Sequence, residues 1–82
     1  MQLKPKALGL AVAVLGGAFW LVAMVLSLLS GLGELTLTAV GSLHPFFTYS
    51  WGGMVIIVIE HLVVGFIGGW IFAWIYNKFL SQ

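Results

Sequence analysis

The sequence predicts an all-α membrane protein: an antiparallel hairpin of two transmembrane helices, with a short interfacial helix in the connecting loop. Three observations lead there. Of the 82 residues, 62% are hydrophobic and only 6% charged, too few ionisable groups to solvate the surface of a soluble domain. A chain this short also lacks the volume to bury so much apolar surface within itself. Finally, two apolar stretches each have the length of a bilayer crossing, and the lysines lie only at their flanks.

The first span reads from about Ala7 to Leu29. Its opening run, Ala7 to Leu26, holds no charged, hydroxyl or amide side chain. Helical rise carries 23 residues across about 34 Å, enough for a hydrocarbon core of roughly 30 Å. Lys4 and Lys6 ahead of an apolar run also suggest a secretory signal, but the run is longer than an h-region and no Ala-x-Ala site follows. It reads as an uncleaved span. Pro5 suits the first helical turn, and Ser30-Gly31-Leu32-Gly33 supplies the stop.

The external loop reads from about residue 31 to residue 50. Within it, Glu34–Leu43 predicts a short helix at the membrane surface, with Glu34 favouring the positive end of the helix dipole. His44-Pro45 ends that helix. Phe46, Phe47, Tyr49 and Trp51 read as an aromatic belt where the chain re-enters the bilayer. The second span reads from about Met54 to Tyr76, after Trp51-Gly52-Gly53 and before Asn77-Lys78. The whole chain is one domain.

Orientation follows from Lys4, Lys6 and Lys78, because the loop has neither Lys nor Arg. The positive-inside rule puts both termini in the cytoplasm and the loop outside, in a bacterial inner membrane. A net charge of +1 without arginine gives no reason to expect nucleic acid as a partner. Cysteine is absent, and no nucleophile–base pair, phosphate loop or metal cluster is visible. Neither catalysis by this chain alone nor a bound cofactor is expected.

Small residues mark the expected helix-packing seams. In the first span Gly9, Ala13, Gly16, Trp20, Ala23 and Ser27 alternate in steps of four and three, with Gly17 beside Gly16. In the second, Met54, Val58, His61, Gly65, Gly68 and Phe72 do the same, and Gly65, Gly69 and Ala73 form a small-xxx-small ridge. Such spacing favours a left-handed crossing of about +20° with close backbone approach. Setting Ala7 level with Tyr76 puts Gly16 level with Ile67, and places Glu60 and His61 level with Ala23.

Glu60 and His61 are the intramembrane polar candidates, since a charge at mid-bilayer costs about 2.5–3.5 kcal/mol on insertion scales. They occupy different faces. His61 lies on the seam; Glu60 lies with Gly53, Val64, Ile67 and Ile71. Glu60 therefore reads either as a group lining an interface or water path in an assembly, or as a structural carboxyl that is protonated or reaches the outer interface. His61 reads as a hydrogen-bonded packing residue, with axial ligation of haem or chlorophyll as its weak alternative. His44 and Glu34 read as solvated loop residues.

Two further stretches carry a resemblance: Leu3-Lys4-Pro5-Lys6-Ala7-Leu8-Gly9-Leu10, and the run Gly65-Phe66-Ile67-Gly68-Gly69-Trp70 through Phe79. Together with Gly41-Ser42-Leu43-His44-Pro45, they resemble a family of small bacterial two-span membrane proteins of unknown function, often labelled "bacteriophage holin". The resemblance implies two spans and a self-associating hairpin. Members often carry an acid just before the Gly-Phe-x-Gly-Gly stretch; here that position is Val64, and the nearest acid is Glu60, one turn earlier. The expected function is a self-assembling homo-oligomer (scaffold, ring or pore), or else an accessory subunit of a larger membrane complex.

Overall fold

The computed structural model describes residues 2–80 and contains three helices among them: α1 (Pro5–Ser30), α2 (Glu34–Gly41) and α3 (Trp51–Leu80). The long helices α1 and α3 run antiparallel along a body 49 Å long and 19 × 18 Å across. Both are long and apolar enough to cross a membrane. Each is longer than the sequence reading, and the ends explain why.

Pro5 starts α1 two residues early, because its fixed φ and missing N–H suit the first turn. Gly31 ends it in the left-handed region (φ 78°), and its N–H donates to the Ser27 carbonyl at 2.6 Å. At the start of α3, Ser50 caps the helix: its Oγ accepts from the Gly53 N–H at 3.1 Å. Trp51-Gly52-Gly53 is thus the first turn of α3 and not a lead-in. Beyond Tyr76, Lys78 lies in the last turn, where a cation meets the negative end of the dipole, and its Nζ sits 4.9 Å from the Trp74 ring. Asn77 closes the same end of the hairpin on the N-terminal segment. Its Oδ1 accepts from the Leu3 N–H at 2.9 Å, and its Nδ2 donates to the Leu3 carbonyl at 2.7 Å.

The contact between α1 and α3 uses small residues, in a different row from the expected one on α3. Gly9, Ala13, Gly17, Trp20, Met24 and Ser27 are buried on α1, and Gly53, Ile57, Gly69 and Ala73 on α3. His61 and Gly65 fill the interval on α3 and are half-buried. The α3 row is therefore a repeat of four, in place of an alternation of four and three. Gly68 has nothing within 4 Å of where a Cβ would stand, and Phe72 is 61% exposed. On α1, Gly16 is half-buried against His61. Met24 occupies the inward position, with Ala23 half-buried beside it.

The physical reason is backbone approach. A Cβ on Gly65 would lie 2.9 Å from the Ala13 Cα, and one on Gly69 would lie 2.9 Å from the Gly9 Cα. Main chain touches main chain there, so the next residue in the row must be small. Ala73 meets that condition and Phe72 does not.

Register differs as well. Gly16 meets His61 where Ile67 was expected, so α3 is displaced by six residues, about 9 Å at the rise of an α-helix. Pairing Gly69 with Gly9 and Gly65 with Ala13 sets this register, since any other puts a side chain into the backbone contact.

Near the other end lies the largest apolar cluster. Trp20, Met24 and Ile57 are buried together, flanked by Leu28, Leu37, Phe47, Tyr49, Met54 and Val58. Leu37 is the inward residue of α2, while Leu35 is 86% exposed.

Candidate functional site

The segment between α2 and α3 does not stand clear of the hairpin as a solvated loop. Phe46 takes a positive φ of 63° and redirects the chain, so that the residues on either side of it fold inward. Phe47 packs over Gly41 and reaches the Trp20 ring, centroid to centroid 6.2 Å. Tyr49 is half-buried, and its hydroxyl hydrogen-bonds the buried Ser27 Oγ at 2.5 Å. Of the four aromatic residues expected as a belt, only Phe46 and Trp51 face outward.

That hydroxyl pair ties the segment to α1 across 22 residues of sequence. In a Ser27→Ala, Tyr49→Phe double-mutant cycle, a coupling of about 1 kcal/mol is expected, the net worth of a buried neutral hydrogen bond. Reversible unfolding in mixed micelles measures it; additive effects of the two substitutions would remove the pair as a restraint.

The folded-back segment carries His44 to the hairpin. His44 is half-buried, and its ring centroid lies 5.6 Å from Trp20 and 4.9 Å from His61. This corrects the reading of His44 as a solvated loop residue. Glu34 stays exposed in the first turn of α2. Sequence distance hid His44, because sixteen intervening residues separate it from His61. A nine-residue stretch without charge (Ser42–Ser50) was the available signal that this segment seeks apolar surroundings.

His61 projects between the helices halfway along α1, touching Gly16 and leaning on Trp20 at 5.5 Å. Both imidazoles make the same local bond. His44 Nδ1 lies 3.2 Å from the Val40 carbonyl, and His61 Nδ1 lies 3.0 Å from the Ile57 carbonyl. A carbonyl oxygen only accepts, so each Nδ1 carries the hydrogen and each neutral ring presents a lone pair at Nε2. Glu60 turns to the outward side of His61. It is half-buried, and its Oε1 is sealed from solvent without a hydrogen-bond partner.

His44, Pro45, Glu60, His61 and Val64 line a recess of about 190 Å³. Comparison with family models, curated proteins and solved structures finds no match. The site is therefore read from its own chemistry. Among the described residues, no three His, Asp or Glu side chains stand where they could hold a metal ion. The recess falls below the roughly 300–1,000 Å³ of sites for drug-sized ligands, so it has no room for a porphyrin beside His61. What the arrangement offers is hydrogen-bond acceptance: two imidazole lone pairs and a carboxylate, on rings held in place by Trp20.

Proposed function

We propose that this chain is a non-catalytic, two-span hairpin of the bacterial plasma membrane that assembles with further copies of itself through the outward face of α3. Within the chain, only 28% of the most apolar stretch of α1 is buried, and 11% of that of α3. Most of this apolar surface faces outward, as lipid or neighbouring helices require. Lys4, Lys6 and Lys78 lie at the end of the hairpin closed by Asn77, which becomes the cytoplasmic end with both termini. The exposed apolar residues of α2 rest at the outer interface.

The observation that carries assembly is the Glu60 carboxylate, set partway along the membrane span with one oxygen sealed and unpartnered. An unsatisfied polar group in hydrocarbon costs several kcal/mol. Packing a second copy against this face replaces lipid with protein and lets a protonated Glu60 donate to an acceptor of its neighbour. The same assembly suits the ring, scaffold or holin-like pore implied by the family resemblance. In a mild detergent the wild-type chain is expected to run as one uniform multiple of 8.9 kDa, and Glu60→Leu as a changed multiple. A wild-type mass of 8.9 kDa at every protein concentration rules the reading out.

A second reading is favoured by the absence of an outward donor at the depth of Glu60. Between Ala7 and Leu26 of α1 only Trp20 carries a donor side chain, and it is 5% exposed. On α3 the outward donors Trp51 and Trp70 lie at least a turn and a half from Glu60. An accessory subunit beside a larger complex would receive its donor from that complex. Larger chains co-purifying at fixed ratio decide for this second reading.

A further inference from the structure

We propose that the recess between His44 and Glu60 binds a small organic ammonium ion, an N–H-bearing cation on a short apolar body. Five residues form its lining. Three present acceptors, and the other two, Pro45 and Val64, have no side-chain donor. Each imidazole has committed its only hydrogen to a main-chain carbonyl, at Val40 and at Ile57. The sealed oxygen of Glu60 has no partner. Acceptors gathered without a donor call for an occupant that brings its own hydrogens.

Three properties narrow the class. The carboxylate calls for a positive charge, because an ion pair enters an apolar medium at far lower cost than either ion alone. A chelated metal is disfavoured, since no three ligating side chains among the described residues converge on a point. Size does the rest: about 190 Å³ holds an ammonium head and a short chain against Pro45 and Val64, and nothing much larger. The recess is also preorganised. Trp20, itself buried, backs both imidazoles, at 5.6 and 5.5 Å, so little ordering is left to be done on binding.

The recess is complete within one chain and does not depend on assembly, although a second copy over α3 would close its outer side. The test uses the full chain in phosphatidylcholine nanodiscs, with ring-¹⁵N histidine spectra as the readout. n-Butylammonium is titrated beside tetramethylammonium, which has charge without N–H, and 1-pentanol, which has no charge. The expected result is saturable binding of n-butylammonium at one site per chain, shifting the Nε2 signals of both His44 and His61. Affinity should fall at least tenfold in Glu60→Gln, which keeps shape, and in His44→Phe, which keeps the ring against Trp20. The two control ligands should not saturate.

Equal binding to Glu60→Gln, no saturable shift, or saturation by 1-pentanol overturns the proposal. So does tight Zn²⁺ binding lost in both variants, which makes the recess a metal site, or a response to protons alone. Native mass is measured on the same samples. Lost ammonium binding with an unchanged multimer counts against the recess only, and a monomer that still binds counts against assembly only.

Discussion

Gly69→Val drives the two long helices apart, while the same change one residue earlier, Gly68→Val, leaves the hairpin intact. At Gly69 an added Cβ meets the Gly9 Cα and the Leu8 carbonyl oxygen at 2.9 Å, and the Gly9 nitrogen at 3.1 Å. All three are main-chain atoms of a helix, which cannot rotate away as a side chain can. The clash is relieved only by moving α1, and that also unseats Ala13 from Gly65. Overpacking of a close-packed core costs about 1–3 kcal/mol, and this site belongs at the upper end. Lipid offers no hydrophobic force to hold the helices together once contact is lost. Gly68 has open space around it, so its substitution is expected within about 0.5 kcal/mol of wild type. The measurement is reversible unfolding at rising SDS fraction, followed by energy transfer between dyes at Lys4 and Leu80 through introduced cysteines, the chain having none of its own. Equal midpoints for the two variants would show that the backbone contact does not hold the hairpin.

Gly53→Ala releases the folded-back segment and dismantles the recess without separating the helices. A Cβ at this position would coincide with the Thr48 carbonyl oxygen, and would stand 2.7 Å from its carbon and 2.8 Å from the Thr48 nitrogen. Again the obstruction is backbone. Thr48 must move, and with it the Ser50 cap of α3, the Tyr49 hydroxyl on Ser27, and Phe47 on Trp20. Loss of a cap and of one buried hydrogen bond together amounts to about 2 kcal/mol, before any strain. The neighbouring Gly52→Ala is the control: its nearest outside atom is the Ser50 Oγ at 3.9 Å, and alanine is the better helix former. Magnetisation transfer between the His44 and His61 rings should vanish in Gly53→Ala and persist in Gly52→Ala. Its survival in Gly53→Ala would mean that the segment is held by something other than this contact.

These two pairs of glycines show how far local sequence reaches. Gly68 and Gly69 are chemically identical and 100° apart on one helix, so composition alone cannot say which faces α1. The alternation of four and three chose Gly68 with Phe72; the structure chose Gly69 with Ala73. The deciding quantity is the thickness of a side chain between two backbones. The sequence contained the correct row as a small-xxx-small ridge, but ranked it second. Register was illegible for a related reason. A helix with many small residues offers several nearly equivalent alignments, and only the simultaneous fit of Gly9, Ala13, Gly65 and Gly69 separates them.

The polar groups divide in the same way. Glu60 and His61 stood out because charge and imidazole within an apolar run are costly wherever the chain folds. His44 did not, because a histidine before a proline in a connecting segment looks solvated until the segment is seen to fold back. Ser27 counted as one more small seam residue; its hydroxyl partner Tyr49 was read as part of an aromatic belt.

Local physics thus determined what the sequence could settle by itself. Two helices long and apolar enough to cross a membrane, the Gly31 stop, and the approximate bounds of α2 all follow from hydropathy and termination signals within a few residues of each element. Tertiary structure alone decided the facing rows, the register, and the meeting of His44, Glu60 and His61 at one recess. Those features depend on main-chain contacts at Gly53, Gly65 and Gly69 between residues far apart in the chain. No local pattern records how closely two backbones can approach.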